Sequence, residues 1–446
     1  MKNAKIYLIL LLNIFIYNNV KSQVWSAVDA GFNYPAYGMA EFNGELFVGG
    51  QFTPQGSTQT RGVAVWSGDT AWKQPSYGIY GTVNVLAEYN GQLFAGGSFF
   101  YCDFSQVCAS LAVWNGNYWS PISNGTDGIV NAMQVYNGEL YIAGSFNNAA
   151  GLPAKKIVRY DGTNFSQVYG GMIANQYAAI SDLEVYNNEL YAVGEFSLAG
   201  GVPAQNIAKF DGNTWSAVGA GLSGGTNPYG SSLAIFNGEL YVAGKFTTAG
   251  SVPANYLAKW DGSNWSSTGT VFNQQIYCLG VYDGDLIAGG AFTYINSAYK
   301  PHIARSSNGT TWLDMFGGLD GPPFDFITHN SELYVCGSFT VANGIPVNNI
   351  ARWVTHVSVK ENTAHVVSTE LFPNPFAEKT TLKLDRNLNN ATIEIYNAEG
   401  KKVNEINNIS GNRVEIKRNE LSAGIYFLRL KENGLAIGKS KFVVTD

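Results

Sequence analysis

The sequence predicts an all-β fold, and three observations lead to that prediction. The 446-residue chain is 46% hydrophobic and only 13% charged, with 51 glycines and 14% aromatic residues, a composition that suits short strands joined by tight turns. The phrase NGELYVAGKF, which begins at Asn237, recurs seven times with small changes. Each copy belongs to a unit of four strand-like runs without helical periodicity. Such units predict the blades of a seven-bladed β-propeller, followed by a small β-sandwich.

The chain begins with a segment that is typical of a secretory signal peptide. Lys2 and Lys5 precede an apolar run from Ile6 to Tyr17, and small and polar residues follow. The alternative is an uncleaved membrane anchor, but the run is short of the roughly 20 apolar residues that span a bilayer. We therefore predict a signal peptide over residues 1–22, with cleavage near Ser22, and no transmembrane segment in the rest of the chain.

The propeller is predicted over residues 23–353. The Asn or Asp that opens each copy of the phrase marks the repeat, at intervals of 46 to 50 residues: Asn43, Asn90, Asn137, Asn187, Asn237, Asp283 and Asn330. We name the four strands of each unit a, b, c and d, from the centre outward. Because the first strand, at Trp25, is of type d and the last, ending at Trp353, is of type c, the two should pair and close the ring.

Two repeated positions in strand b are interpreted as structural. Glycine is expected where neighbouring backbones approach closely, at Gly50, Gly97, Gly144, Gly194, Gly244, Gly290 and Gly337. A carboxylate opens the strand in most copies, at Glu45, Glu139, Glu189, Glu239 and Glu332. Repetition in so many units indicates a turn feature rather than one active site.

Charge separates the propeller from the tail. Residues 23–353 contain 11 Lys and Arg against 22 Asp and Glu, a net charge of −11. This balance excludes a nucleic-acid partner, which requires a basic surface. Residues 354–370 are predicted to be a linker, and residues 371–446 alternate like the strands of a small immunoglobulin-like β-sandwich with turns at Glu399-Gly400 and Asn433-Gly434.

The tail resembles a known family. Pro373-Asn374-Pro375, the runs IYNAEGKKV and LSAGIYFLRL, and the terminal KFVV resemble the C-terminal sorting domain of type IX (Por) secretion substrates. The resemblance implies export through the type IX secretion machinery, with the mature protein released or attached at the outer-membrane surface of a Gram-negative bacterium. The alternative is an ordinary immunoglobulin-like accessory domain.

The repeats resemble a second family. The run ELYVAGKFTTAGSVPANYLAKWDGSNW is similar to kelch-type propellers, and particularly to the repeat of fungal cortical polarity markers. The resemblance covers residues 24–353 but implies no ligand, because a fold does not determine a function.

Binding residues are predicted on the face that carries the longer b–c and d–a connections, which we call the long-loop face. Aromatic side chains interleaved with Asn and Asp suit stacking on sugars or protein contacts, although each can instead pack on the blades. The candidates are Tyr34, Tyr37, Tyr77, Tyr80, Tyr101, Asp103, Phe104, Tyr177, Asn227, Tyr229, Asp320 and Phe324.

A second candidate site lies on the innermost strands. Asp182, Glu184 and Asp325 are expected to face the central channel, where carboxylates bind a cation, act as acid and base, or are simply solvated. No spacing motif supports catalysis, so no catalytic residue is assigned. Only His302 and His329 lie in the propeller, which disfavours a histidine-based metal site or cofactor.

Four cysteines are too few to stabilise an exported chain of this size by disulfides alone. Cys102 and Cys108 lie close together in one loop and are predicted to pair. Cys278 and Cys336 are interpreted as buried structural thiols.

The sequence thus supports three hypotheses. The first is a secreted or surface-displayed propeller that binds a glycan or protein partner through the long-loop face. The second is an extracellular polysaccharide hydrolase or lyase that uses the channel carboxylates. The third is a structural adhesin domain without a defined small ligand.

Overall fold

The computed structural model describes residues 24–53, 61–68, 71–173, 179–354, 369–398, 401–419, 421–432 and 435–446. The signal peptide, Tyr177, most of the linker and the two predicted turns of the tail lie outside these residues. The chain divides into two compact units at residues 357 and 358. Within the described residues, we find no helix with the length and apolar character needed to cross a bilayer.

The first unit consists of antiparallel sheets that each follow one copy of the repeat. Within the described residues there are seven such sheets, of which six have strands in the order a-b-c-d and the first has only a-b-c. The a strands are Ala36–Phe42, Tyr80–Tyr89, Val130–Tyr136, Ala179–Tyr186, Tyr229–Phe236, Ile276–Tyr282 and Pro323–His329. The b strands are Glu45–Gly50, Gln92–Cys102, Glu139–Gly144, Glu189–Glu195, Glu239–Lys245, Asp285–Gly290 and Glu332–Gly337.

The outer strands are shorter. The c strands are Val63–Trp66, Leu111–Trp114, Ile157–Tyr160, Ile207–Phe210, Leu257–Trp260, Ile303–Ser306 and Ile350–Val354. The d strands are Trp119–Pro121, Phe165–Gln167, Trp215–Ala217, Trp265–Ser267, Leu313–Asp314 and, for the last blade, Val24–Ala27. In the first blade an isolated bridge between Val65 and Lys73 takes the place of the fourth strand.

The sheets follow one another around a central channel. Each a strand contacts the a strand of the next blade, and the last, Pro323–His329, contacts the first, Ala36–Phe42. The predicted closure of the ring is confirmed, because Trp25 pairs with Trp353 in antiparallel register. The two indole rings lie 4.9 Å apart, and the Trp25 Nε1–H donates to the Met315 carbonyl at 2.7 Å.

The repeated phrase is explained by its turn and by its glycine. Asn237 and Gly238 both have positive φ, of 52° and 77°, as a two-residue hairpin turn requires. At the far end of the b strand, a Cβ on Gly244 would collide with the Tyr229 carbonyl, so the expected close approach of backbones is present. Leu240 and Phe246, which lie between neighbouring blades, are fully buried.

The repeated carboxylate forms an ion pair with strand c. Glu239 Oε2 lies 2.7 Å from Lys259 Nζ, and the same pair recurs in four other blades: Glu139–Arg159, Glu189–Lys209, Asp285–Arg305 and Glu332–Arg352. The sequence analysis interpreted the carboxylate as a turn feature and did not predict its basic partner on strand c. The constant separation of 20 residues between the acidic and the basic residue was visible in the sequence.

In blades 3, 4 and 5 the b–c connection folds back over the outer edge of its own blade. In blades 3 to 7 the b–c connections form small hairpins, at Asn148–Pro153, Leu198–Pro203, Thr248–Pro253, Tyr294–Tyr299 and Val341–Pro346. The hairpins of blades 3, 4 and 5 contact the d strand of the same blade. These connections therefore lie at the periphery of the propeller and not at the channel. The predicted long-loop face thus consists of two separate parts, one at the periphery and one at the channel.

The second unit is a five-stranded, β-sandwich-like domain. Its strands are Thr369–Phe372, Lys379–Asn397, Lys402–Lys417, Gly424–Glu432 and Leu435–Val444. The two longest strands carry register shifts that interrupt their pairing. Alternate residues such as Leu382, Ile393 and Leu430 are fully buried in one apolar core.

Candidate ligand-binding surfaces

Every a strand carries a β-bulge near its start. The register of strands a and b shifts by one residue at equivalent places in all seven sheets, which leaves one residue of strand a unpaired. We call these seven residues the bulge ring: Tyr37, Asn84, Asn131, Ser181, Ser231, Tyr277 and Phe324. All seven are partly exposed and line one central cavity of about 320 Å³.

The bulge ring has a polar arc, formed by the four consecutive blades 2 to 5. The Asn131 amide donates to the Ile180 carbonyl of the next blade at 3.1 Å, and the Ser231 hydroxyl donates to the Ile276 carbonyl at 2.7 Å. The Asn84 amide lies 3.3 Å from the Val130 carbonyl. Each of these bonds crosses from one blade to the next, so the arc both joins blades and presents amide and hydroxyl groups to the cavity.

The remaining arc, formed by blades 6, 7 and 1, is aromatic. Tyr37 and Phe324 are stacked, with ring centroids 5.2 Å apart and planes inclined by 16°. Tyr277 lies 5.9 Å from Phe324. The Gln275 amide donates to the Tyr277 hydroxyl at 2.8 Å, and the hydroxyl of Tyr229 donates to the Gln275 amide oxygen at 3.3 Å. The structure thus brings Tyr37 and Phe324 together at the channel and connects Tyr229 to Tyr277 through Gln275.

Asp182 lies in this cavity and links two blades. Its Oδ2 accepts a hydrogen bond from the Leu233 N–H of the next blade at 2.8 Å, and its Oδ1 accepts one from the Leu183 N–H at 2.8 Å. Burial, with the nearby negative charge of Glu184, raises the pKa of Asp182 to about 7.

Asp325 occupies the equivalent position three blades away. Its Oδ2 accepts from the Met39 N–H at 2.7 Å and its Oδ1 from the Phe326 N–H at 2.8 Å, and burial raises its pKa to about 7. Glu184 accepts from the Val185 N–H and from the Gln134 amide, and burial raises its pKa as well. The three predicted channel carboxylates line one cavity, but each is bonded to backbone or amide N–H groups.

The channel has no group arranged as a metal site. Nowhere in the part of the chain that the structure describes do three or more His, Cys, Asp or Glu side chains converge as metal ligands. No Lys, Arg or His lines the described cavity. The cavity is therefore negatively charged when its carboxyl groups are ionised.

Two of the predicted binding residues have structural contacts. Asp320 accepts three hydrogen bonds from its own b–c hairpin, from the Thr340 N–H and hydroxyl and the Val341 N–H. Asp103 is fully buried and accepts from the Trp119 N–H at 2.7 Å. Asn227, in contrast, is exposed, with a positive φ of 52°.

The b–c connection of blade 2 differs from all the hairpins described above. Its b strand runs on to Cys102, and the extension pairs with Gln106–Val107. Cys102 and Cys108 are disulfide-bonded in the structure. Between them Phe104 is held at a positive φ of 58°.

An aromatic patch surrounds this loop. Phe104 is 61% exposed and Tyr77 is 63% exposed, with ring centroids 5.0 Å apart. The Tyr118 ring centroid lies 6.0 Å from that of Phe104. Phe100 and Tyr101 form an edge-to-face pair beside the disulfide and are also exposed. We call these five residues the blade 2 patch.

Tyr34 and Tyr80 form a third group with a residue that the sequence did not indicate. The Arg61 guanidinium lies 4.3 Å from the centre of the Tyr80 ring, a cation–π contact. These three residues border one open surface depression between blades 1 and 2.

The bulge ring as a set was missed by sequence reasoning. Its members lie six residues before the Asn or Asp that opens each repeat, next to the position of the predicted channel residues Asp182 and Asp325, which lie five residues before it. The signal was present as a column of Tyr, Asn, Asn, Ser, Ser, Tyr and Phe, all of which are polar or aromatic. A bulge cannot be read from spacing alone, because it depends on the pairing register.

Comparison with known families identifies the second unit. Residues 370–445 match the model of the secretion system C-terminal sorting domain. The C-terminal unit is a secretion sorting domain. The predicted resemblance to type IX secretion substrates is confirmed, and the protein is secreted or displayed at the cell surface.

The propeller also has a family match. Residues 36–189 match the model of the Rax2 C-terminal β-propeller domain, in agreement with the predicted resemblance to fungal polarity markers. No curated protein matches the chain.

The solved structures with a partial likeness to this chain have low sequence identity and TM-scores below 0.5. PorZ of Porphyromonas gingivalis, an essential surface component of the type IX secretion system, has a TM-score of 0.46 and 13% identity over 94% of this chain and 61% of PorZ. A Bacteroides thetaiotaomicron protein of unknown function has a TM-score of 0.38 and 12% identity, over 75% and 76% of the two chains. An α-L-arabinofuranosidase of Clostridium thermocellum has a TM-score of 0.26 and 12% identity, over 64% and 95%. The chain spans less than two thirds of the length of PorZ, and these similarities carry no argument about activity.

Proposed function

We propose that this exported propeller is a binding protein that recognises an extracellular glycan or a protein partner through its exposed aromatic residues. The sorting domain implies the secretion machinery as one partner during export. The ligand of the mature protein is a separate partner, and the propeller supplies the surface for it.

The blade 2 patch is the observation that supports this proposal. Contiguous patches of exposed apolar side chains are uncommon on soluble proteins and often mark interaction sites. Here Phe104 is held at a positive φ inside a disulfide-closed loop, with Tyr77 and Tyr118 nearby. Rigid, exposed rings lose little conformational entropy on binding and stack well on sugar rings or apolar protein surfaces.

The test is a glycan array and a surface-protein pull-down with the full chain. A variant with Tyr77→Ala and Phe104→Ala is expected to lose about tenfold or more in affinity. Tyr299→Ala is the matched control, since Tyr299 is 65% exposed on the blade 6 hairpin and lies outside the patch. The proposal fails if the wild-type chain binds nothing in either assay, or if the control variant loses binding as severely as the patch variant.

A polysaccharide hydrolase or lyase is the second candidate. The observation that favours it is that Asp182 and Asp325 line one cavity with pKa values of about 7, which is the range of a general acid at neutral pH. The hydrogen bonds from Leu233 and Met39 oppose it, because they give both carboxylates a role between blades.

Asp182→Asn and Asp325→Asn variants separate these two functions. A hydrolase or lyase would lose about a thousandfold or more of its turnover of a polysaccharide panel in either variant. A binding protein would show no turnover in the wild type and unchanged array binding in both variants.

A further inference from the structure

We propose that the bulge ring is a binding site for one neutral sugar ring, such as the terminal hexose of a glycan. This inference rests on the proposed glycan-binding function and names a second place where a glycan residue is held, separate from the blade 2 patch. It follows from the order of the side chains around the channel, from the groups they present, and from the size and charge of the cavity.

The order of the ring is the first argument. The three aromatic members, Tyr37, Tyr277 and Phe324, come from adjacent blades, and the four polar members come from the other four. The ring therefore has an aromatic arc and a hydrogen-bonding arc, and the surface that faces the cavity is mostly polar, with a small apolar part. A pyranose has the same division, with an apolar face of C–H groups and a rim of hydroxyls.

The second argument is the chemistry of the polar arc. Asn84, Asn131, Ser181 and Ser231 offer amide and hydroxyl groups that both donate and accept hydrogen bonds. The bonds that Asn131 and Ser231 make to the next blade fix their orientation. Fixed groups of mixed polarity match sugar hydroxyls, which also donate and accept.

The charge and the size of the cavity further restrict the class of ligand. The described lining includes three carboxyls and no basic residue, so an anionic sugar would be repelled. The cavity of about 320 Å³ lies at the lower end of the range of about 300–1,000 Å³ that small-molecule sites occupy. It suits a single ring rather than an extended chain.

The stacking of Tyr37 on Phe324 argues against an organic cation as the ligand. Ammonium ligands are held by several aromatic faces that surround the charge. With planes inclined by 16° and centroids 5.2 Å apart, the two rings cover one another, so at most one outer ring face is left as a platform and the pair does not form a cage.

The test measures binding of simple methyl glycosides to the full chain by saturation-transfer NMR. The probes are the methyl glycosides of glucose, galactose and mannose, with tetramethylammonium as the cationic alternative. We expect at least one glycoside to bind with a millimolar Kd and tetramethylammonium to bind more weakly.

The informative variant is Ser181→Tyr. It adds a ring on the polar arc, and the same bulge position already carries Tyr in blades 1 and 6, so the backbone accepts this residue. We expect Ser181→Tyr to weaken glycoside binding about tenfold or more, which corresponds to about 1.4 kcal/mol. Phe324→Ala, which removes the platform, should act similarly, and Tyr299→Ala should leave affinity unchanged.

The outcomes distinguish this inference from the proposed function. Melting temperatures within a few degrees of wild type establish that the variants fold. If the array shows glycan binding that depends on Tyr77 and Phe104 but Ser181→Tyr has no effect on any glycoside, the bulge ring is not the site and the proposed function stands. If tetramethylammonium binds in preference to every glycoside, the ligand class is wrong. If no glycoside binds, this inference fails, and if the array and the surface-protein pull-down also show no binding, the proposed function fails as well.

Discussion

Blades 2 and 5 have the same four strands but differ in what lies outside them. In blade 5 the b strand ends at Lys245, an ion pair joins Glu239 to Lys259, and a small hairpin covers the outer edge. In blade 2 the b strand runs on to Cys102, Gln92 replaces the acidic residue, and exposed aromatic residues cover the edge. The repeated positions therefore build the scaffold, and the departures from the repeat are where we propose that a partner binds.

Alanine at the repeated glycine should have the largest effect, because both blades depend on it. In Gly244→Ala the new Cβ would collide with the Tyr229 carbonyl across the bulge, and in Gly97→Ala with the Thr82 carbonyl. Neither backbone atom can move without breaking the sheet, so we expect a loss of about 3–5 kcal/mol in the free energy of unfolding. Denaturant unfolding measures it.

The matched control for this prediction is the turn glycine of the same blade. Gly238 has a positive φ of 77° but no atom near a new Cβ. Gly238→Ala should cost only about 1–2 kcal/mol, from backbone strain alone. Equal losses in Gly238→Ala and Gly244→Ala would show that close approach does not explain the repeat.

Titration of the buried channel carboxyls should have the next largest effect on stability. Where blade 2 has Val85 and blade 5 has Ser232, blades 4 and 7 have Asp182 and Asp325. Their folded-state pKa values of about 7 exceed the unfolded value of about 3.9, so between these pH values the folded chain holds protons that the unfolded chain has released. Their contribution to stability is therefore complete below about pH 4 and declines as the pH rises to about 7.

Melting temperatures measured between pH 5 and pH 8 test whether the stability contributed by the two carboxyls declines as the pH rises. The wild-type melting temperature should fall relative to that of Asp182→Asn and Asp325→Asn as the pH rises, because the amide does not titrate. Parallel curves for wild type and both variants would contradict the assigned titration.

Removing the disulfide should have a smaller effect, confined to blade 2. Cys102 and Cys108 are separated by six residues, and closing so short a loop stabilises the fold by about 2 kcal/mol. Replacing both cysteines with Ser should lower the free energy of unfolding by that amount and weaken any binding that depends on Phe104. Reductant should destabilise the wild type to the same extent and leave the Ser variant unchanged; a further loss in the Ser variant would assign the effect to another part of the chain.

Apart from the ion pair between strands b and c, the sequence predicted what is repeated within a blade, and it missed what depends on contacts between blades. The turn at Asn237-Gly238, the strand that follows it and the pairing of Trp25 with Trp353 could all be inferred, because local residue types and the order of strands determine them. The stacking of Tyr37 on Phe324 joins residues at opposite ends of the propeller sequence, and no spacing within one repeat indicates it.

The sequence also did not indicate that the predicted long-loop face consists of two separate parts, and the reason is related. Strand alternation places the ends of strands correctly, but it does not show that a b–c hairpin folds back over strand d. Phe104 and Tyr101 therefore lie at the outer edge near Tyr118, whereas Tyr37 and Phe324 lie at the channel. Residue type gave the aromatic candidates, and only the folded chain could assign them to separate surfaces.

The ion pair should have the smallest effect, and it offers a way to make blade 2 more like blade 5. Glu239 and Lys259 keep about a quarter of their side-chain surface exposed, so their coupling energy should be about 0.5 kcal/mol and should fall at about 1 M salt. A double-mutant cycle with Glu239→Gln and Lys259→Met measures it. In blade 2, Gln92→Glu with Val113→Lys introduces the pair at the equivalent positions and should stabilise that blade by a similar amount. A coupling of about 2 kcal/mol that persists in salt would mean that the pair is a principal support of the blade, and its absence from blade 2 would then require a compensating contact.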